Sequence, residues 1–411
     1  MRIALYSHDT MGLGHLRRNA LIAHSLARSA MRPVILSIAG KAEAAAFPLP
    51  PNGHRLILPG LRKTSEGHYE PARPGLTLDE TIAIRSSAIE GALAEFKPDL
   101  FIVDNVPRGP RGELDAVLMR LRAQGRTRCV LGLRDVLDDP LIVDREWRKA
   151  GNEETIQRHY DAIWVYGNPD IFDVNHAYHF SPMMREKMRY TGYFDQLARL
   201  EFVNGDASDI YPSLDLPDGP LALCLVGGGQ DGGALARAFA AAELPTGWNG
   251  VIAAGPYLPH DDLAQLRARA ARDPRFRVLG MISEPLFLIK RATRVIAMGG
   301  YNSVSEILAC ERPSLIIPRV RPRIEQWLRA QHLAALNLVE VLHPDSLSAV
   351  RLSDWLKCET PVHRSIRELV ALDGLANIQD MAADLLGHGR ESAARHAGQA
   401  FSAPPGSLRV R

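Results

Sequence analysis

A few short stretches carry side chains whose types and spacing could do chemistry. His15 closes the run MGLGH, from Met11 to His15, just after an N-terminal apolar strand-like segment and at the start of an apolar-periodic one. Asp104 ends a second apolar segment, in PDLFIVDN from Pro98 to Asn105. The positive end of a helix favours a neutral imidazole, which can take a proton. A carboxylate at the carboxyl end of a strand points into the crevice, where it could orient that ring and stabilise the imidazolium. The competing readings are a surface or capping histidine and, for Asp104, a cap for the segment after Gly109.

The run MGGYNSVSE, from Met298 to Glu306, reads as strand, glycine turn, helix start. Gly299 and Gly300 would let the backbone turn and approach a ligand. The helix-start amides around Tyr301, Asn302 and Ser303 favour an anion such as a diphosphate, with Glu306 facing whatever hangs from it. Ser303 and Glu306 are also spaced as a capping box that needs no ligand. Gly227, Gly228 and Gly229, then Gln230 and, beyond Asp231, Gly232 and Gly233, follow another apolar run, and such a loop can cradle phosphate. Glu325 and Gln326 open a helical segment, where an acid beside an amide suits the mixed donors and acceptors of sugar hydroxyls, or supplies ordinary first-turn acidity.

Other features point less sharply. Gly12 and Gly14 form a GxG, but Arg17 stands where a dinucleotide fingerprint has its third glycine, and no P-loop is present. Arg17, Arg18, Arg108 and Arg111 surround the first-half loops, as contacts for an anionic acceptor or lipid headgroup or as a solvated basic rim. Arg134 and Asp135 end another strand and are expected on the acceptor side. The pairs Asp138 with Asp139 and Asp261 with Asp262 read as acidic helix starts before they read as ligands of a divalent ion. Cys129, Cys224, Cys310 and Cys358 are scattered with no CxxC pair, which fits a reducing compartment and excludes a zinc-site pattern. No cofactor and no metal are expected.

The elements that position these residues alternate along the chain. Short apolar runs at Ile3 to Ser7, Val34 to Ile38, Leu56 to Leu58, Leu100 to Asp104, Cys129 to Leu133 and Ala162 to Tyr166 are separated by amphipathic stretches such as Leu78 to Phe96. The pattern restarts at Leu221 to Val226 and continues through Val251 to Ala254, Arg277 to Leu279, Arg294 to Ala297, Ser314 to Ile317 and Leu338 to Val341. Alternation of this kind predicts parallel sheets wrapped by helices. With 411 residues and 46 % hydrophobic content, two α/β domains of Rossmann type facing across a cleft are the expected architecture.

The glycine- and proline-rich stretch from Tyr190 to Pro220 reads as the connection. Domains are placed at 1–195 and 196–371, with a helix over 372–389 that crosses back to the first or completes the second, and a flexible tail at 390–411. The formal net charge of +2 makes no demand for nucleic acid. No secretory leader is visible and no apolar run nears the roughly 20 residues of a membrane span, so a cytoplasmic protein with at most peripheral contact at the inner face of a plasma membrane is expected.

Together these motifs resemble GT-B nucleotide-sugar glycosyltransferases, above all the family-28 branch that includes the peptidoglycan enzyme adding N-acetylglucosamine to a lipid-linked muramyl precursor. The better match runs from the Gly227 loop through MISEPLFLIKRATRVIAMGGYNSVSEILACERPSLIIP to Gln326; the first half matches through MGLGH and strand order. The resemblance implies that Ile282 contacts the base, Gly300 to Ser303 the diphosphate, Glu306 the ribose, and Glu325 with Gln326 the transferred sugar. It implies His15 as base and Asp104 as its orienting acid. Leu13 replaces a family glycine, and Glu325 replaces the first of two glutamines. The implied reaction is inverting, metal-independent transfer from a UDP-sugar, UDP-GlcNAc among them, to a glycan, lipid-linked or small-molecule hydroxyl in cell-surface polysaccharide or glycolipid synthesis. A nucleotide-sugar 2-epimerase or hydrolase on the same fold, and a silent nucleotide-sugar binder, are the alternatives.

Overall fold

The computed structural model describes residues 1–10, 13–64, 68–202, 214–228, 231–282, 284–359 and 364–387. Gly12, Gly229, Gln230 and the tail read at 390–411 lie outside them. The apolar runs of the first half form β1 (Arg2–Ser7), β2 (Val34–Ala39), β3 (Gly53–Ile57), β6 (Leu100–Asp104), β7 (Arg128–Arg134), β8 (Ala162–Tyr166) and β9 (Met188–Tyr190). They pair in parallel in the order β3-β2-β1-β6-β7-β8-β9. A separate antiparallel hairpin, β4 (Leu61–Lys63) with β5 (Tyr69–Pro71), sits beside this sheet and was not legible in the apolar pattern.

The second half builds another parallel sheet from β10 (Leu221–Leu225), β11 (Asn249–Ala253), β12 (Phe276–Leu279), β13 (Arg294–Ala297), β14 (Ser314–Ile316) and β15 (Glu340–Val341). Its order is β12-β11-β10-β13-β14-β15. Strands β1, β6, β10 and β13 are buried along almost their whole length, as expected of sheets covered by helices on both faces. Two parallel sheets flanked by helices make this a GT-B-like fold of two Rossmann domains.

Strand order fixes where a ligand can sit. In each sheet the direction of winding reverses beside the first strand, between β1 and β6 and again between β10 and β13. The crevice beyond the carboxyl ends at such a reversal is where open α/β sheets bind ligands. His15 opens the helix that follows β1 and Asp104 ends β6, and the loops after β10 and β13 carry the Gly227 and Gly299 turns.

The last helix, Gly374–Leu385, lies against the first one, Gly14–Arg28. Gln379 Nε2 donates to the Ser25 carbonyl at 3.0 Å, and Asn377 Nδ2 donates to the Thr191 carbonyl at 2.8 Å. One apolar core runs through both halves, joining Leu5, Tyr166 and Phe194 to Tyr301, Val304 and Ile378. Among the described residues no helix is long and apolar enough to cross a membrane.

Candidate active site

Helix Gly14–Arg28 starts directly after the β1 loop, with no side chain capping it. His15 therefore stands at its second position, beside the end of β6. Its Nδ1 lies 2.5 Å from Asp104 Oδ2, so a proton on Nδ1 is donated to the carboxylate. Arg18, one turn on, sends Nη2 to both Asp104 oxygens, at 2.6 and 2.8 Å. Asp104 is fully buried and Arg18 is 3 % exposed. Burial alone would raise the Asp104 carboxyl; the charges of Arg18 and His15 outweigh it and hold the group well below the usual carboxylate range. Asp104 is thus an ionised acid aimed at an imidazole and caps no helix. Arg18, expected as an acceptor contact or on a solvated rim, is instead the clamp behind the pair, because the i,i+3 spacing puts it on the same helix face as His15.

His8, at the end of the β1 strand, escaped sequence reasoning. Its ring centre is 5.0 Å from that of His15, and its Nδ1 accepts from the Thr10 amide at 3.2 Å. Burial, then the neighbouring His15, push it well below the ordinary histidine value. It presents a neutral ring whose other nitrogen carries the proton.

Across the cleft, helix Tyr301–Cys310 begins with Gly300 at its N-cap and no side-chain cap. The capping box expected of Ser303 and Glu306 does not form. The helix starts early enough to place Ser303 inside its first turn, and Glu306 is turned away to two arginines. Its Oε1 is 2.8 Å from Arg199 Nη2 and 3.2 Å from Arg17 Nη1. Arg199 also grips Glu284 through two hydrogen bonds of 2.9 and 2.6 Å. Neither Gly299 nor Gly300 has positive φ. A Cβ on Gly299 would press on the Gln326 carbonyl at 3.0 Å, whereas one on Gly300 would meet open space. Close approach explains the first glycine, and the space before the second faces the cleft. Gly227 does have positive φ, at 61°, and a Cβ on Gly255 would strike the Gly227 carbonyl at 2.2 Å, so the Gly227 loop needs its backbone freedom and the bareness of Gly255.

Glu325 and Gln326 begin helix Glu325–Ala335 and are both buried. Arg319 fills their acid side, with Nη2 2.5 Å from Glu325 Oε1 and its amide donating to Gln326 Oε1 at 3.1 Å. Glu325 Oε2 is buried with no partner. Asp135, expected on the acceptor side, is taken by Arg329 of the second half, 2.7 Å away, and by the Tyr193 hydroxyl at 2.9 Å. Arg329 in turn donates to the Gly299 carbonyl at 3.1 Å, which ties the donor-side turn to the first sheet. Asp139 caps helix Pro140–Ala150 through the Leu141 amide, Asp138 binds Arg323, and Asp262 binds Arg237. Among the described residues no three His, Cys, Asp or Glu side chains converge as metal ligands would.

One cleft of about 800 Å³ collects the site. Gly14, His15, Arg17, Arg108 and Arg134 line its first-half wall; Gly227, Gly228, Ile282, Gly300, Tyr301, Asn302, Ser303, Glu306, Glu325 and Gln326 line the opposite one. Asp104 and Gly299 stand behind these walls. Arg108 is held by Asp115 Oδ1 at 2.9 Å. The halves touch where a Cβ on Gly14 would lie 2.3 Å from Asn302 Nδ2. Arg17, Arg199 and Arg329 escaped the donor-side reading because their partners are distant in sequence, and Arg319, six residues before Glu325, escaped it because that spacing matches no helix or strand period.

No family model and no curated protein matches the sequence. Solved structures match the fold. The calicheamicin glycosyltransferase CalG4 is similar at 16 % identity and a TM-score of 0.55, over 98 % of this chain and 100 % of that one. The UDP-GlcNAc 2-epimerase of Methanocaldococcus jannaschii is similar at 11 % identity and a TM-score of 0.60, over 93 % and 99 %. That of Neisseria meningitidis, bound to UDP-GlcNAc, gives 12 %, 0.57, 94 % and 99 %. The fold is thus shared with nucleotide-sugar-acting enzymes, transferases and epimerases alike, and a specific tie to family 28 finds no support among the matches.

Proposed function

We propose that this protein processes a nucleotide-sugar, with His15 as the base that takes a proton from a hydroxyl. The observation that carries the reading is the pairing across one cleft: an ionised, buried Asp104 behind His15 on one wall, and an uncapped helix start beside the unpartnered Glu325 oxygen on the other. Glu325 and Gln326 would hold the sugar. The amides of Tyr301 to Ser303 and the Gly227 loop would receive the diphosphate, and Glu306 would exchange Arg17 for the ribose. Negative charge grows on that diphosphate as the anomeric bond breaks, and fixed amide dipoles stabilise it.

For the reaction, transfer to an acceptor hydroxyl with inversion is favoured by the shape of the first-half wall. Beyond His15 the cleft continues over Lys63, Tyr69, Arg108 and Trp147, room that a donor seated on the opposite wall leaves for a second substrate. A second reading, 2-epimerisation or hydrolysis, draws its support from the fold matches to UDP-GlcNAc 2-epimerases. In that case the same base serves the sugar itself or water.

Incubation with UDP-GlcNAc and other UDP-sugars, with and without hydroxyl acceptors, separates the readings by product. UDP release that depends on an acceptor is the expected result. A C2-epimerised or free sugar formed without acceptor establishes the second reading. Failure to bind any nucleotide-sugar overturns both.

A further inference from the structure

Among the described residues the arginines and lysines of the cleft are matched by carboxylates with two exceptions. Arg17 has Glu306, Arg18 has Asp104, Arg319 has Glu325 and Asp231, and Arg323 has Asp138 and Glu146. Lys63, at the end of the β4 strand, and Arg134, at the end of the β7 strand, line the same first-half wall, and neither has a carboxylate or hydrogen-bond partner among the described residues. The Arg134 Nε is buried and unsatisfied. The Lys63 ammonium rests only on the face of Tyr69, 4.8 Å from the ring centre. Cations withdrawn from water without a counter-ion are costly, and a fold keeps them most readily where a ligand supplies the missing charge.

We propose that Lys63 and Arg134 form an anion subsite that receives a phosphate or carboxylate group carried by the acceptor. The proposal rests on the transferase reading and names its acceptor class. Three further observations support it. Burial lowers both groups, and both line the one cleft. His8 and His15 line the same cleft, so the subsite shares its space with the base. The carboxylates Glu146 and Glu325 act on Lys63 and Arg134 from a distance, but each is bonded to another arginine, Glu146 to Arg323 and Glu325 to Arg319, and among the described residues neither pairs with the two cations. An anion bound there would leave an adjoining acceptor hydroxyl within reach of His15. Its guanidinium partner offers a planar fork, its ammonium partner a point charge, a combination suited to tetrahedral phosphate as well as carboxylate.

The test titrates inorganic phosphate into the full-length protein, alone and saturated with UDP so that the donor wall is occupied, with heat as the readout. Lys63→Met and Arg134→Gln are each expected to weaken phosphate binding to the UDP complex about tenfold, while UDP affinity stays within about twofold. Thermal unfolding confirms that each variant is folded, and the Lys63 change, on a peripheral hairpin, carries the test if Arg134→Gln does not fold. Phosphate binding unchanged in the variants overturns the subsite. Loss of UDP affinity in the variants also overturns it, because the cations then serve the donor diphosphate. If wild-type protein ignores UDP, the nucleotide-sugar reading fails by itself, and the phosphate series without UDP still decides the subsite: weakened binding in the variants keeps it, unchanged binding removes it.

Discussion

The two walls of the cleft are built on opposite plans. On the first-half wall the proton-transfer pair is already satisfied: Asp104 takes three contacts from His15 and Arg18, and nothing about the pair waits for substrate. On the second-half wall the working groups are left open or lightly engaged. The helix at Tyr301 has no cap, Glu325 Oε2 has no partner, and Glu306 is shared between arginines. A group that must hold one protonation state and one geometry through many turnovers is fixed by the fold, whereas groups that must release product gain from partners they can exchange. On the proposed function, positioning of His15 as the base is a property of the folded chain, and binding of a donor is a property of the chain with its ligand.

Breaking the first wall should cost rate. His15→Ala is expected to lower turnover by about 10²-fold or more while UDP affinity by calorimetry stays within about twofold. A variant with full activity would remove His15 from the mechanism. Asp104→Asn should lower turnover comparably and also destabilise the fold by about 3–5 kcal/mol, since Arg18 is left buried without its counter-ion. Its pH signature has a definite sign. The folded-state value of Asp104 is depressed, so the unfolded chain binds the proton more readily, and the stabilisation is fully present above about pH 4 and is lost as pH falls through the folded value. Urea unfolding followed from neutral to acidic pH should show this loss in the wild type and a flatter curve in Asp104→Asn.

Breaking the second wall should cost affinity. Glu306→Gln is expected to weaken UDP binding by about tenfold with turnover at saturating donor little changed. An equal fall in turnover at saturation would erase the distinction between the walls. The smallest effect concerns Ser303, which caps nothing. Ser303→Ala should leave thermal stability within about 0.5 kcal/mol, while Thr77→Ala, which removes a real capping box with Glu80, should cost about 1 kcal/mol.

That last contrast shows what the sequence could and could not say. Thr77-x-x-Glu80 and Ser303-x-x-Glu306 have one pattern, and only the first caps. The difference lies in where the backbone turn ends, set by Gly300 and by the Gly299 approach to Gln326, and in arginines reaching Glu306 from far away in the chain. Strand positions were legible because fully buried parallel strands leave apolar runs, and the two reversals of strand order place the Gly227, Gly299, His15 and Asp104 loops by topology. The β4–β5 hairpin escaped because three-residue strands leave no periodicity. Arg18 was legible in principle, one turn from His15; Arg199 and Arg329 were not, because ion pairs across more than eighty residues leave no spacing to read.

The return of helix Gly374–Leu385 onto helix Gly14–Arg28 means that the chain crosses between the halves twice, once before Leu221 and once before Gly374. Like a door hung on two pins, any opening of the cleft is left with one axis, and sideways slip or twist would strain a crossing. On the proposed function, approach of His15 to a bound sugar would then follow a single mechanical coordinate and need no orientational search.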